Sequence, residues 1–432
     1  MRLFGSRSLA WFLLGYAVVL LLLLPVLSIW LDEGITLATA YKPNLRAMLD
    51  YIHVVAGSTP LTFLPPYWAS FVFGQSAFSA RFPSALASWA ACPAVFLLAR
   101  RMQLKSPLLA VVLFAMFPLQ LRYALEARPY ALAICFVVWA TELFLSILDR
   151  PRSNARVGLY ALFFALAALA QPYAAFVAGA HFLWTILYSR KHLYAPCIAL
   201  ALAALAIGPW YATYSASWAL QMAQEQLATW SWRSGLVFLR EISGSGYIGS
   251  AILFTGIAFG VRRVTAPQRF WLFWAIIPLL ALPVVNLAFN YFFAIRQVVF
   301  VLPVLVLLFL AGAESLGKAG RCMIAAFVIA SLWGNVSWFR RPREDWKAAA
   351  NAMAAQVSQG GCVIFLGDSE PLYRLFRPEL ERCAGDSDRV VIGTIPYGPP
   401  TYDRAIAPLV ARGMVKQSEQ SFNGPRVVVF AK

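Results

Sequence analysis

Apolar runs long enough to cross a bilayer recur along most of this chain, and no other feature limits its fold so sharply. They lie near residues 9–30, 82–98, 108–121, 130–148, 157–170, 173–188, 193–211, 247–261, 270–286, 298–313 and 322–339. A hydrocarbon core of about 30 Å is crossed by roughly 20 apolar helical residues. Inside it backbone amides find no water, so only helices or closed barrels are stable there. The chain is 61% apolar and 13% charged, against about 45–50% apolar for an ordinary soluble domain. The expected fold is therefore a polytopic α-helical membrane protein of about 11 spans.

The net charge of +17 invites a nucleic-acid reading, but its placement argues against one. Arg100, Arg101 and Lys105; Arg150, Arg152 and Arg156; Arg190 and Lys191; Arg262, Arg263 and Arg269; and Lys318 and Arg321 fall in alternate short loops. That is the positive-inside pattern of cytoplasmic loops. Arg2 and Arg7 precede the first run, which lacks the short core and small-residue cleavage site of a signal peptide, so the N-terminus is expected in the cytoplasm. An odd span count then puts everything after Phe339 on the opposite side, together with the loops at 31–81, 121–130, 214–246 and 290–297.

Past residue 340 the pattern changes. Helices are expected at 344–359, 370–381 and 403–412, and β-branched strands at 362–366, 389–392 and 426–430. This alternation implies a small α/β domain, and about 90 residues suffice for a modest core. Cys92, Cys135, Cys197 and Cys322 read as buried apolar residues. Cys362 and Cys383 lie on the oxidising side, as a disulfide or as two thiols. No spacing suits a metal site.

The non-cytoplasmic loops carry the candidate chemistry. Asp32 and Glu33 follow the first run directly; adjacent carboxylates at a membrane boundary either supply a general base or mark the end of a span. Beyond them Leu45, Met48, Leu49 and Ile52 recur at helical spacing, with Arg46, Asp50 and His53 opposite, turned to the site or to water. Arg81 enters the next run at its outer end. Arg122, Glu126 and Arg128 share a short turn, either lining a polar cavity or tying two helix ends together. Arg296 at an outer helix end suits a phosphate, which guanidinium binds bidentately. His181 and Glu142 read as structural groups within the bundle. The segment 214–246, with Trp218, Trp230, Trp232 and Arg233, is an interfacial lid or a membrane anchor.

The order of these features resembles glycosyltransferase family 39 and the related C-type glycosyltransferases. These include protein O-mannosyltransferases, the aminoarabinose transferase acting on lipid A, and core galacturonosyltransferases. The likeness rests on Asp32-Glu33, the interfacial helix, Pro60-Leu61, Phe73-Gly74 and Arg81-Phe82-Pro83-Ser84-Ala85-Leu86. It continues through Tyr123-Ala124-Leu125-Glu126-Ala127-Arg128-Pro129-Tyr130, the most specific string, then Gln171-Pro172-Tyr173, then 290–303, and ends at Arg343-Glu344-Asp345-Trp346. Where many members carry His-Pro-Pro-Leu-Tyr, this chain has Ser58-Thr59-Pro60-Leu61-Thr62. The family histidine is thus unassigned, His53 lies too early to replace it, and the acceptor preference stays open.

The resemblance implies a C-type fold in residues 1–339, with the first outer loop at 31–81, and a soluble periplasmic α/β domain in 340–432. It implies a multi-pass protein of the bacterial inner membrane that moves a sugar, with inversion, from a polyprenyl phosphate to a glycan, lipid or protein acceptor. Asp32 carries the family's base role, and Glu126 joins it as a catalytic candidate. Glu33, Arg128, Arg122, Arg296, Arg81, Tyr130, Arg46 and His53 are the substrate-binding candidates. No cofactor is required, although Asp32, Glu33 and Glu126 could share a divalent cation. The rival readings are a lipid or solute transporter, for which internal repeats would be expected, and a non-catalytic envelope-assembly protein.

Overall fold

The computed structural model describes residues 2–52, 59–149, 153–224, 232–264, 269–289, 294–366, 369–383, 387–394 and 399–432. Helix α1 (Arg2–Leu23) leads to three short helices in the first loop, α2 (Leu31–Ala40), α3 (Leu45–Tyr51) and α4 (Leu64–Phe73). The bundle continues with α5 (Ala77–Arg101), α6 (Pro107–Met116), α7 (Pro118–Ala124), α8 (Tyr130–Asp149), α9 (Asn154–Ala170) and α10 (Ala175–Tyr188). It closes with α11 (Tyr194–Gln224), α12 (Trp232–Glu241), α13 (Gly246–Arg263), α14 (Phe270–Phe289), α15 (Leu302–Ser315) and α16 (Lys318–Arg340). The tail runs α17 (Trp346–Val357), β1 (Cys362–Phe365), α18 (Glu370–Phe376), β2 (Arg389–Thr394), α19 (Pro399–Ala411), β3 (Val415–Ser421) and β4 (Arg426–Ala431).

A helix stands at each of the expected runs, but not every one is long. Among the described residues, five helices have the length and composition to cross a membrane, and up to seven if two bent pairs each count as one span. The bends are 65° between α6 and α7 and 83° between α12 and α13. Pro118 opens α7 and so forces the first break, since proline cannot continue the hydrogen-bond ladder behind it. Arg122 lies on α7 beyond that break, and Glu126 lies just past the end of the helix.

Close packing in the bundle depends on small residues. Gly256 and Gly260 of α13 face Gly312 of α15, and a Cβ at Gly312 would overlap the Gly256 backbone. Such small-xxx-small faces let helix backbones touch where lipid removes the usual hydrophobic drive. Cys92 and Cys135 are buried as expected, whereas Cys197 and Cys322 are exposed on the outside of the bundle. An apolar surrounding accepts a thiol there as readily as the core does.

In the first loop, Asn44 caps α3 by accepting the Ala47 N–H at 2.9 Å, and a Ser76–Ser79 capping box starts α5. Helix α11 does not stop near 211 but runs on to Gln224, because the Ala- and Ser-rich stretch after Pro209 holds no further breaker. Trp230 lies outside the described residues, and Trp232 opens α12 with its ring exposed.

The tail is a four-stranded sheet in the order β1-β2-β4-β3, with β1 parallel to β2 and the other pairs antiparallel. Its alternation divides the core. Val363, Val391, Val427 and Val429 pack on Trp346, Met353, Leu372 and Tyr373 of α17 and α18. Val390, Ile392, Val428 and Phe430 pack with Leu409 and Met414 on the other side. Strand β3 escapes the sequence pattern because all seven of its residues are exposed. Cys362 and Cys383 are joined as a disulfide. The first of these two faces also holds Leu31 and Ile35 of α2, so the tail rests on the first loop.

Candidate active site

Helix α2 separates the two adjacent acids. Successive helical residues point about 100° apart, so Asp32 and Glu33, both in the first turn, meet different partners. Glu33 turns inward. Its carboxylate takes Arg81 Nε and Nη2, each at 2.7 Å, and the Ala127 N–H at 2.8 Å. The remaining donors of Arg81 go to the carbonyls of Leu24 (2.9 Å), Leu27 (2.8 Å) and Ser28 (3.1 Å). All five guanidinium N–H groups are thereby used, and both side chains are 1% exposed. This pair ties the end of α1, α2, α5 and the 125–129 turn into one unit.

Asp32 turns the other way and stays accessible, with 22% of its side chain exposed. Its Oδ2 lies 3.2 Å from Arg296 Nη1 and 3.6 Å from Arg128 Nη2. Arg128 Nη1 also reaches the Asp32 carbonyl and Thr36 Oγ1, both at 3.4 Å. Its buried Nε has no hydrogen-bond partner. The guanidinium sits 5.7 Å from the Tyr130 ring centroid, and Tyr130 meets Tyr123 edge to face at 4.8 Å.

Glu126 completes the cluster. Arg122 Nε donates to its Oε1 at 2.9 Å, while Oε2 is buried without a hydrogen-bond partner. Burial pushes the Glu126 pKa up, partly offset by Arg122 and reinforced by the nearby Glu33 charge. A neighbour missed by sequence reasoning is Arg343, close enough to Glu126 and Glu33 to feel both charges and held 4.4 Å over the Trp338 ring. Glu344 was missed as well; it accepts the Leu31 N–H at 2.6 Å and lies near Asp32. Both sit more than 200 residues from the site residues they approach, and only their place in the tail-opening motif marked them.

The structure thus brings together Asp32, Glu33, Arg81, Arg122, Glu126, Arg128, Tyr130 and Arg296. It leaves Arg46 apart: that side chain is 92% exposed and pairs with Asp50, because its face of α3 looks to solvent. His53 lies outside the described residues. His181 is buried in the bundle between Phe144, Tyr160 and Phe270, in keeping with a structural role. Glu142 pairs with Arg101 at 2.7 Å, a partner the sequence did not reveal. Among the described residues, no three His, Cys, Asp or Glu side chains are grouped to hold a metal ion; Glu33 in particular is committed to Arg81.

The chain has the C-type glycosyltransferase fold, with a small C-terminal sheet domain. It is similar to ArnT from Cupriavidus metallidurans in the apo state, with a TM-score of 0.66, 13% identity, and coverage of 99% of this chain and 98% of that one. The same protein bound to undecaprenyl phosphate gives 0.65 at 13% identity and the same coverage. An Archaeoglobus fulgidus oligosaccharyltransferase, in complex with Zn and sulfate, gives 0.50 at 14% identity over 79% of this chain and 55% of that one. Residues 66–213 match the family model of dolichyl-phosphate-mannose-protein mannosyltransferases. No curated protein sequence matches the chain.

Proposed function

We propose that this protein is an inverting glycosyltransferase that takes a sugar from a polyprenyl phosphate and delivers it to an envelope acceptor on the non-cytoplasmic face. The observation that carries this reading is a partly open carboxylate, Asp32 in the first turn of α2, set against Arg128 and Arg296 in a bundle of this fold. Arg128 and Arg296 both face the single Asp32 carboxylate, and two guanidiniums on one partly exposed acid suit an anionic carrier phosphate. The undecaprenyl phosphate bound by ArnT, a protein of the same fold, supports the choice of carrier.

In the proposed step, Asp32 takes the proton of an acceptor hydroxyl. The oxygen forms a bond to the anomeric carbon on the face opposite the phosphate. The bond from that carbon to the phosphate oxygen breaks, and its electron pair leaves with the phosphate. Arg128, Arg122 and Arg296 stabilise the charge that develops there, where electrostatic help has most effect. Tyr130 and Glu126 border the space for sugar or acceptor, and Glu33 and Arg81 hold the frame. The step balances without nucleotide or cofactor. A divalent cation would have to bind through Asp32 and Glu126. The reading places the protein in a bacterial inner membrane, with its N-terminus inside and residues 340–432 in the periplasm. Lipid A or core, another glycan, a lipid or a protein hydroxyl is the acceptor class.

The test is release of undecaprenyl phosphate from a panel of undecaprenyl-phosphate sugars by the purified protein in nanodiscs, with membrane-extract acceptors. Acceptor-dependent release from one donor supports the reading. Passage of the intact lipid across the bilayer with no release would support a transporter instead.

A further inference from the structure

The helix that carries Asp32 does not cap itself. Its first residue is preceded by Trp30, which offers no side-chain cap, so the opening N–H groups must find acceptors elsewhere. The Leu31 N–H finds Glu344 Oε2 at 2.6 Å, across 313 residues of sequence. The same oxygen takes Trp346 Nε1 at 2.8 Å, and the indole is anchored in the tail core with Leu31 and Ile35 packed beside it. One residue past Glu33, Gly34 lies so close to Leu372 of α18 that a Cβ would overlap that side chain. A ten-residue helix is marginal alone, so α2 takes its position from what surrounds it.

We propose that Glu344 is a positioning residue for transfer: from the tail, it caps α2 and thereby sets where the Asp32 carboxylate stands between Arg128 and Arg296. The proposal rests on the reading of Asp32 as base. It makes the sheet domain part of the catalytic apparatus rather than an appendage. Negative charge at a helix N-terminus is favourable, and an acceptor fixed by a buried indole loses little freedom on binding the N–H. Arg343, the preceding residue, lies near enough to Glu126 and Glu33 to feel both charges.

The experiment compares full-length wild type, Glu344→Ala, Glu344→Gln and Trp346→Phe in nanodiscs. Amide hydrogen exchange is read over the peptide containing α2, and kcat and KM are read for undecaprenyl-phosphate sugar transfer. Glutamine keeps an acceptor for both N–H groups; phenylalanine keeps the ring but frees the carboxylate. The expected result for Glu344→Ala is roughly ten- to a hundred-fold faster exchange in the first turn of α2. Its kcat should fall by about the same factor at nearly constant KM, since small misplacements are costly at a reacting centre. Glu344→Gln should stay near wild type and Trp346→Phe between the two. Unchanged exchange in Glu344→Ala overturns the proposal, as does a loosened α2 with undiminished kcat. Loss of folded protein in all three variants, without rescue by glutamine, overturns it in favour of a purely structural contact. If wild type releases no carrier from any donor, the transferase reading fails, and the exchange data still decide whether Glu344 holds α2.

Discussion

Asp32 and Glu33 are neighbours in sequence and of one chemical type, yet they sit in opposite surroundings. Glu33 is sealed with Arg81, every donor of which is used, and both are shut from solvent. Asp32 has longer contacts to two arginines and remains partly open. A saturated pair has nothing left to offer a ligand and serves to fix geometry. A partly open cluster with two guanidiniums on one carboxylate can exchange its longer internal contacts for those of a substrate. Satisfaction of donors and acceptors, rather than residue type or position near the membrane, divides framework from site.

The largest effect expected from this contrast is on chemistry. Asp32→Asn should lower transfer by about 10²–10⁴-fold, the usual contribution of a general base, while melting and undecaprenyl phosphate binding change little. Glu33→Gln or Arg81→Ala should instead destabilise the protein by about 3–5 kcal/mol, because each leaves a buried charge without its partner. Their lowered melting in nanodiscs, followed by tryptophan fluorescence, separates this from loss of activity. Arg128→Ala should weaken undecaprenyl phosphate binding roughly ten- to a hundred-fold, the worth of a hydrogen bond to a charged group, in a direct binding assay. A smaller effect follows from Glu126. Its raised pKa means that it gains a proton at higher pH than an ordinary glutamate as the medium is acidified. Transfer by wild type should therefore decline on the acid side above the usual carboxylate range, and Glu126→Gln should remove that part of the pH profile.

Much of the architecture could be read from hydropathy alone, because apolar runs announce buried or lipid-facing helices whatever their packing. The turn at 123–130 was legible as well, since charges flanked by two spans have few places to go. Asp32 was legible through its place in the motif order. Helix α2 was not, because its ten residues mix Thr, Gly and acids and gain their shape from Arg81, Arg128 and the tail. Strand β3 was hidden because no apolar alternation marks a fully exposed edge. The expectation that Arg81 and Glu33 contact substrate came from the motifs they stand in; the structure shows them committed to each other, with every donor of Arg81 used. Arg343 and Glu344 were marked only as the start of the tail motif, for their place beside the site depends on residues hundreds of positions earlier.

The division between site and frame is decided by assaying Asp32→Asn beside Glu33→Gln for transfer from an undecaprenyl-phosphate sugar, at a temperature where both remain folded. Asp32→Asn should bind undecaprenyl phosphate but transfer almost nothing, while Glu33→Gln should melt earlier and keep measurable transfer. Transfer by Asp32→Asn at the wild-type rate would contradict it.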